Sequence, residues 1–195
     1  MNRFFRIPLV AGATAALFTV LLPHPAQAHS AASTGALAGV MHPLLGLDHV
    51  LMLLAVGSAG ALLSPALLLW ALGGGVMGAL LGAAGVQLPG LEWMAAAAVL
   101  AVAAWTVLAR RLARQGQDHA QLLQAISSGL VAVAVLVHAL LHGLEAPHNA
   151  GSLAWWAGAL LASIAVSGGT TLLLRRLSMP VSLTSTPQGF RRPSR

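Results

Sequence analysis

Residues 122–144 read LLQAISSGLVAVAVLVHALLHGL, a run without a single Asp, Glu, Lys or Arg. Its length matches the ~20 apolar residues a helix needs to cross a bilayer. His138 and His142 stand in it one helical turn apart, and Glu145 follows one turn later. An ionisable group inside an apolar span costs several kcal/mol unless a partner, a watery path or a bound ion compensates it, so such groups mark function.

Four further stretches resemble this one: roughly 39–63, 65–86, 91–109 and 153–174. The chain of 195 residues is 57% hydrophobic and only 7% charged, too apolar for a soluble domain of this size. The reading is an all-α polytopic transmembrane bundle of about five spans. A net charge of +6 could suggest nucleic acid, but all ten basic residues are arginines, confined to the N-terminus, one loop and the tail. That is a topology signal, and no nucleic-acid partner is expected. There is no cysteine, which removes disulfides, thiolate zinc sites and Cys-ligated iron–sulfur clusters.

The N-terminus combines Arg3 and Arg6, an apolar stretch from Ile7 to Leu22, and Ala26-Gln27-Ala28. This is the pattern of a cleavable signal peptide over residues 1–28, leaving His29 first in the mature chain. Residues 29–176 then form the transmembrane domain. Residues 177–195, rich in Ser, Thr, Pro and Arg, read as a disordered tail. With the mature N-terminus outside, Arg110, Arg111, Arg114, Arg175, Arg176 and the tail arginines all fall on the cytoplasmic side, as the positive-inside rule requires. Trp93, Trp155 and Trp156 read as outer interfacial anchors, Trp70 and Trp105 as inner ones. Gly74, Gly78 and Gly82, four residues apart, predict close helix packing on the second span.

A second polar run, His42-Pro43-Leu44-Leu45-Gly46-Leu47-Asp48-His49, opens the first span. Residues seven apart on one helix share a face about 10 Å apart along the axis, which places His42 and His49 on one side and Asp48 about 100° from His49. Pro43 suits a first helical turn, with His42 flanking the helix; a proline kink within a longer helix is the alternative. His138, His142 and Glu145 have the i, i+4, i+7 spacing of one stripe. The first span runs inward and the fourth outward, so both runs lie at one depth, in the outer part of the bilayer. His42, Asp48, His49, His138, His142 and Glu145 are thus candidate ligands of one nitrogen/oxygen metal site. His29, with its own terminal amine, is a seventh candidate.

Such donors favour Ni2+, Co2+ or Zn2+ over Cu+, which prefers sulfur, and over Mg2+ or Ca2+, which prefer oxygen. For a lone histidine in a span the ordinary role is a helix-to-helix hydrogen bond; two clusters at one depth argue for a metal. His148 and Asn149 read as loop residues, Glu92 as a helix-opening carboxylate, and Asp118 and His119 as solvated.

At these residues the chain resembles the HupE/UreJ family of membrane proteins. The family pattern HPxxGxDH matches His42, Pro43, Gly46, Asp48 and His49, and a second, approximately HGxAHGxE, matches His138, His142, Gly143 and Glu145, with Ala139 and Leu141 at its small-residue positions. The resemblance covers about residues 1–175. It implies a permease of the bacterial inner membrane that takes up Ni2+ or Co2+ as substrate, with no prosthetic group, and supplies the maturation proteins of nickel enzymes such as hydrogenase or urease. No ATP-binding loop is present, so the membrane potential or a proton gradient would drive uptake. The competing readings are an intramembrane metalloenzyme, against which stands the absence of a His-Glu-x-x-His motif, and an accessory protein that binds metal without moving it.

Overall fold

The computed structural model describes residues 35–115 and 120–178, and these form six helices without a strand. They are α1 (Ala36–Leu45), α2 (Leu47–Leu62), α3 (Leu67–Ala83), α4 (Leu91–Ala113), α5 (Ala120–Glu145) and α6 (Ser152–Ser178). The expected signal peptide, His29, and the tail beyond Ser178 lie outside the described residues, as do Asp118 and His119.

Helices α4, α5 and α6 are long and apolar enough to cross a membrane, which makes the chain a polytopic helical membrane protein. The second expected span forms a helix of only 17 residues, α3. It starts just after Pro65 and ends in a Schellman motif on Gly85 (φ 82°), in which the Val86 amide donates to the Leu81 carbonyl and the Gly85 amide to that of Gly82. The first expected span is not one continuous helix. It divides at Gly46 into α1 and α2, which together have the length and hydropathy of a span but meet at 81°.

Helix directions follow from paired residues. Trp105 of α4 donates to Ser127 of α5 across antiparallel helices. Gly74, Gly78 and Gly82 of α3 lie against the carbonyls of Ala132, Leu136 and Leu140 of α5, so these two run parallel. Gly57 meets Ser167 and Thr170, and Gly60 meets Thr171, so α2 runs along α6 in the same sense, while α1 crosses α6 where Gly39 meets Trp155 and Gly158 meets Ala36. Arg110 and Arg111 at the end of α4 and Arg175 and Arg176 at the end of α6 therefore share one end of the bundle. The C-terminus of α5, with both its histidines, is at the other.

Small residues permit this packing. A Cβ on Gly74, Gly78 or Gly82 would fall on backbone of α5, and one on Gly39 or Gly158 on backbone across the α1–α6 contact. Gly73, beside the α3 seam, faces open space. Without a hydrophobic driving force between helices in lipid, close backbone approach and van der Waals contact supply the association. The outward face carries the large apolar side chains, among them Leu153, Leu45 and Leu37. Midway along the bundle, Met52 and Val56 of α2, Ala71 of α3, Ala98, Val99 and Val102 of α4, and Val131 and Ala134 of α5 pack into one apolar layer. Towards the arginine end, Thr106, Ser127 and Ser128 are buried, with Thr106 donating to the Val102 carbonyl and Ser127 to that of Leu123.

Candidate metal site

Gly46 shapes the site. Its backbone (φ −80°, ψ 115°) leaves the helical region, and the chain bends so that α2 starts immediately with Leu47, Asp48 and His49. On a continuous helix His42 and His49 would be about 10 Å apart. Across the bend their ring centroids are 4.7 Å apart. The sequence expectation for this run therefore needs correcting: Pro43 does not open the helix but lies buried in the last turn of α1, and the discontinuity falls three residues later, at glycine. Proline removes one amide and strains the preceding turn, yet a helix that ends at Leu45 tolerates it; Gly46 loses most backbone entropy in a helix and is the cheaper place to break.

The stripe on α5 forms as spaced. His138 and His142 are buried, with ring centroids 4.8 Å apart. Asp48 bridges the two helices: its Oδ1 is 3.3 Å from His49 Nδ1, while its Oδ2 is 3.5 Å from His142 Nε2 and 3.8 Å from His138 Nε2. His49 stacks obliquely on His142 at 3.6 Å between centroids. Glu145 Oε2 is 3.1 Å from His142 Nδ1, one turn away on the same helix.

Two groups of donor atoms result, each with all members within 4.8 Å of one another: Asp48, His49, His138 and His142; and His42, His142 and Glu145. Metal–ligand bonds of about 2.1 Å set donors roughly 3–4 Å apart, so modest side-chain closure would complete a coordination shell. The nitrogens His42 Nε2, His49 Nε2, His138 Nε2 and His142 Nε2 are buried without a hydrogen-bond partner. Each such group costs about 1–3 kcal/mol if left unsatisfied. A divalent cation would satisfy several at once, and the two carboxylates would balance its charge.

Of the seven residues expected from sequence, six come together here and His29 lies outside the described residues. His148 is exposed in the α5–α6 loop, where Asn149 Oδ1 accepts a hydrogen bond from the Gly151 amide, a turn contact. Glu92 stands exposed in the first turn of α4, in keeping with its reading. Leu141 lines an open pocket with Gln87, Leu88 and Trp93. A second expectation fails. Trp155 is no interfacial anchor: it is 5% exposed and lies 4.8 Å from the His42 ring, holding it against the site. The signal in the sequence is Gly158, whose lack of a side chain lets α6 close onto α1 at Ala36.

Comparisons with known proteins point the same way as the motifs. Protein HupE of Rhizobium leguminosarum bv. viciae is 31% identical over 160 residues, spanning 77% of this chain and 76% of that protein. No solved structure matches. The family model described as HupE / UreJ protein matches residues 16–187, nearly the whole chain, and with that relative it makes this membrane protein a member of the HupE/UreJ family.

Proposed function

We propose that the chain is a secondary permease that captures Ni2+, or Co2+, at the clustered histidines and carboxylates and passes it across the inner membrane. The observation that carries this reading is the meeting of two distant sequence runs: Asp48 lies within 4 Å of nitrogens of His49, His138 and His142. In this mechanism the neutral imidazoles are exchangeable ligands. Asp48 and Glu145 compensate charge or ligate directly. Imidazole with carboxylate is borderline chemistry suited to Ni2+ and Co2+.

The arginine end of the bundle would face the cytoplasm by the positive-inside rule, setting the site in the periplasmic half. A potential of 100 mV negative inside supplies ~2.3 kcal/mol per unit charge, hence about 4.6 kcal/mol for a divalent ion crossing fully. The natural recipients are the maturation systems of nickel enzymes such as hydrogenase or urease. A metalloenzyme is the weaker reading, since both carboxylates already engage the histidines and the chain has no His-Glu-x-x-His motif.

The test is 63Ni uptake in cells stripped of other nickel importers, comparing the native chain with His49→Ala and His142→Ala at equal membrane abundance. Uptake that requires both histidines supports a transport site shared by α2 and α5. A native chain importing no more nickel than empty membranes refutes nickel transport and moves cobalt transport or the accessory role forward.

A further inference from the structure

The two donor groups share one residue, His142, and they meet it at opposite ends of its ring. Nδ1 faces Glu145 Oε2 at 3.1 Å, and Nε2 faces Asp48 Oδ2 at 3.5 Å. The lone pairs of the two ring nitrogens diverge, so one ion cannot bind both. A neutral imidazole also has only one lone pair free for a metal, because the other nitrogen carries the proton. Occupancy through Nδ1 and occupancy through Nε2 are therefore alternatives.

Resting on the transport reading above, we propose that the site comprises two overlapping subsites which a single Ni2+ or Co2+ ion occupies in turn. The outer subsite is His42, Glu145 and His142 Nδ1. The inner one is Asp48, His49, His138 and His142 Nε2. Burial sets the order along α5: the side chains of Glu145, His142 and His138 are 25%, 9% and 6% exposed. An arriving ion meets the partly exposed carboxylate at the helix end before the buried rings. Asp48 of the inner set, on α2, is 34% exposed, so the order rests on the position of the donors along α5 and not on the exposure of the two carboxylates. His42 is held for the outer set by Trp155, its Nε2 buried without a hydrogen-bond partner.

The outer set offers three donors and the inner set four, so transfer runs from the weaker site to the stronger one. In each subsite the ring proton sits on the nitrogen the ion does not use; once the ion leaves Nδ1, water takes the proton from Nε2 and returns one to Nδ1, so the exchange takes up no net proton. His142 thereby serves the two subsites in turn, and while its ring exchanges nitrogens the ion is held by the other donors of the two sets.

The full-length chain, purified into lipid nanodiscs, is loaded with 63Ni2+ in equilibrium dialysis, and bound metal is characterised by nickel X-ray absorption. The native protein should bind one ion per chain. Glu145→Gln, which spoils only the outer set, should still bind one ion while uptake from low external nickel falls roughly 10- to 100-fold. Asp48→Asn and His138→Gln, which spoil only the inner set, should also retain one ion, now with fewer imidazole scatterers, and should lose uptake. His142→Ala should lose both. If Glu145→Gln and Asp48→Asn each abolish binding as completely as His142→Ala, or if the native chain binds two ions, the two-subsite arrangement is overturned while nickel transport stands. A native chain that neither binds nor imports nickel overturns the transport reading itself.

Discussion

A methyl group added to Gly143 tests whether helix packing sets the geometry of the donors. Gly143 follows His142 and faces Gly82 of α3; a Cβ there would stand 2.5 Å from the Ala79 carbonyl oxygen and 2.9 Å from Gly82 Cα. Ordinary contact begins near 3.4 Å, so in Gly143→Ala the α5 backbone must withdraw from α3 by about 0.9 Å. The opposing atoms are backbone and cannot rotate aside. Metal donors tolerate about 0.2 Å, so the shift next to His142 exceeds what a formed site absorbs. Overpacking of this kind costs about 1–3 kcal/mol. If that cost falls on the metal-loaded state, affinity drops about 5- to 150-fold. Two glycines serve as controls: at Gly129 on α5 and Gly73 on α3 an added methyl would meet nothing within 4 Å. Alanine at either should be neutral or stabilising by up to about 1 kcal/mol, because glycine is the poorer helix former. The assays are 63Ni uptake at subsaturating nickel and thermal unfolding in nanodiscs. Equal melting temperature and uptake for Gly143→Ala and Gly129→Ala would refute the claim that the glycine seam positions the site.

Three further predictions concern other parts of the molecule. Gly46→Ala should leave the backbone unstrained, since φ is −80°, but its Cβ would press within 2.5 Å of His49 Nδ1; nickel uptake should fall with the protein still abundant in the membrane, and unchanged uptake would show that His49 is free to move. Lowering external pH should reduce uptake, because protonated imidazole has no lone pair for a metal; the sign is a loss towards acid, and a rate that rises below neutrality would exclude histidine ligation as the limiting step. Thr171→Val removes the hydroxyl that donates to the Gly57 carbonyl at 2.9 Å, linking α6 to α2; a loss of about 0.6–1.7 kcal/mol in unfolding free energy with normal nickel affinity is expected, and a changed affinity would reveal coupling from this contact to the donors.

The parts of the fold legible from sequence are those that behave as straight helices. The α5 stripe of His138, His142 and Glu145 follows directly from a spacing of 3.6 residues per turn, and the seam of Gly74, Gly78 and Gly82 follows from the same arithmetic. Where the chain departs from a straight helix, periodicity misleads. It puts His42 and His49 on one face, yet it is the bend at Gly46 that brings them together, and glycine within an apolar run gives little warning of whether it packs or breaks. Trp155 escapes a sequence reading for a different reason: aromatic residues near span ends usually sit at the interface, and only the tertiary approach of α6 to α1 buries this one against His42. Nor does sequence show that one imidazole serves both carboxylates.

The layer of Met52, Val56, Val99, Val102 and Val131 beneath the donors bears on throughput. Aliphatic side chains offer a divalent ion nothing in exchange for its ligands, and charge in such surroundings is expensive. On the proposed transport reading, each passage would therefore await a parting of helices, motions of microseconds to milliseconds or slower, rather than the nanosecond hop of an ion through a wetted pore. On that same reading the molecule would scavenge rather than conduct, taking ions across one at a time. Its traffic belongs on an isotope counter, and a measurable single-channel current would contradict that view.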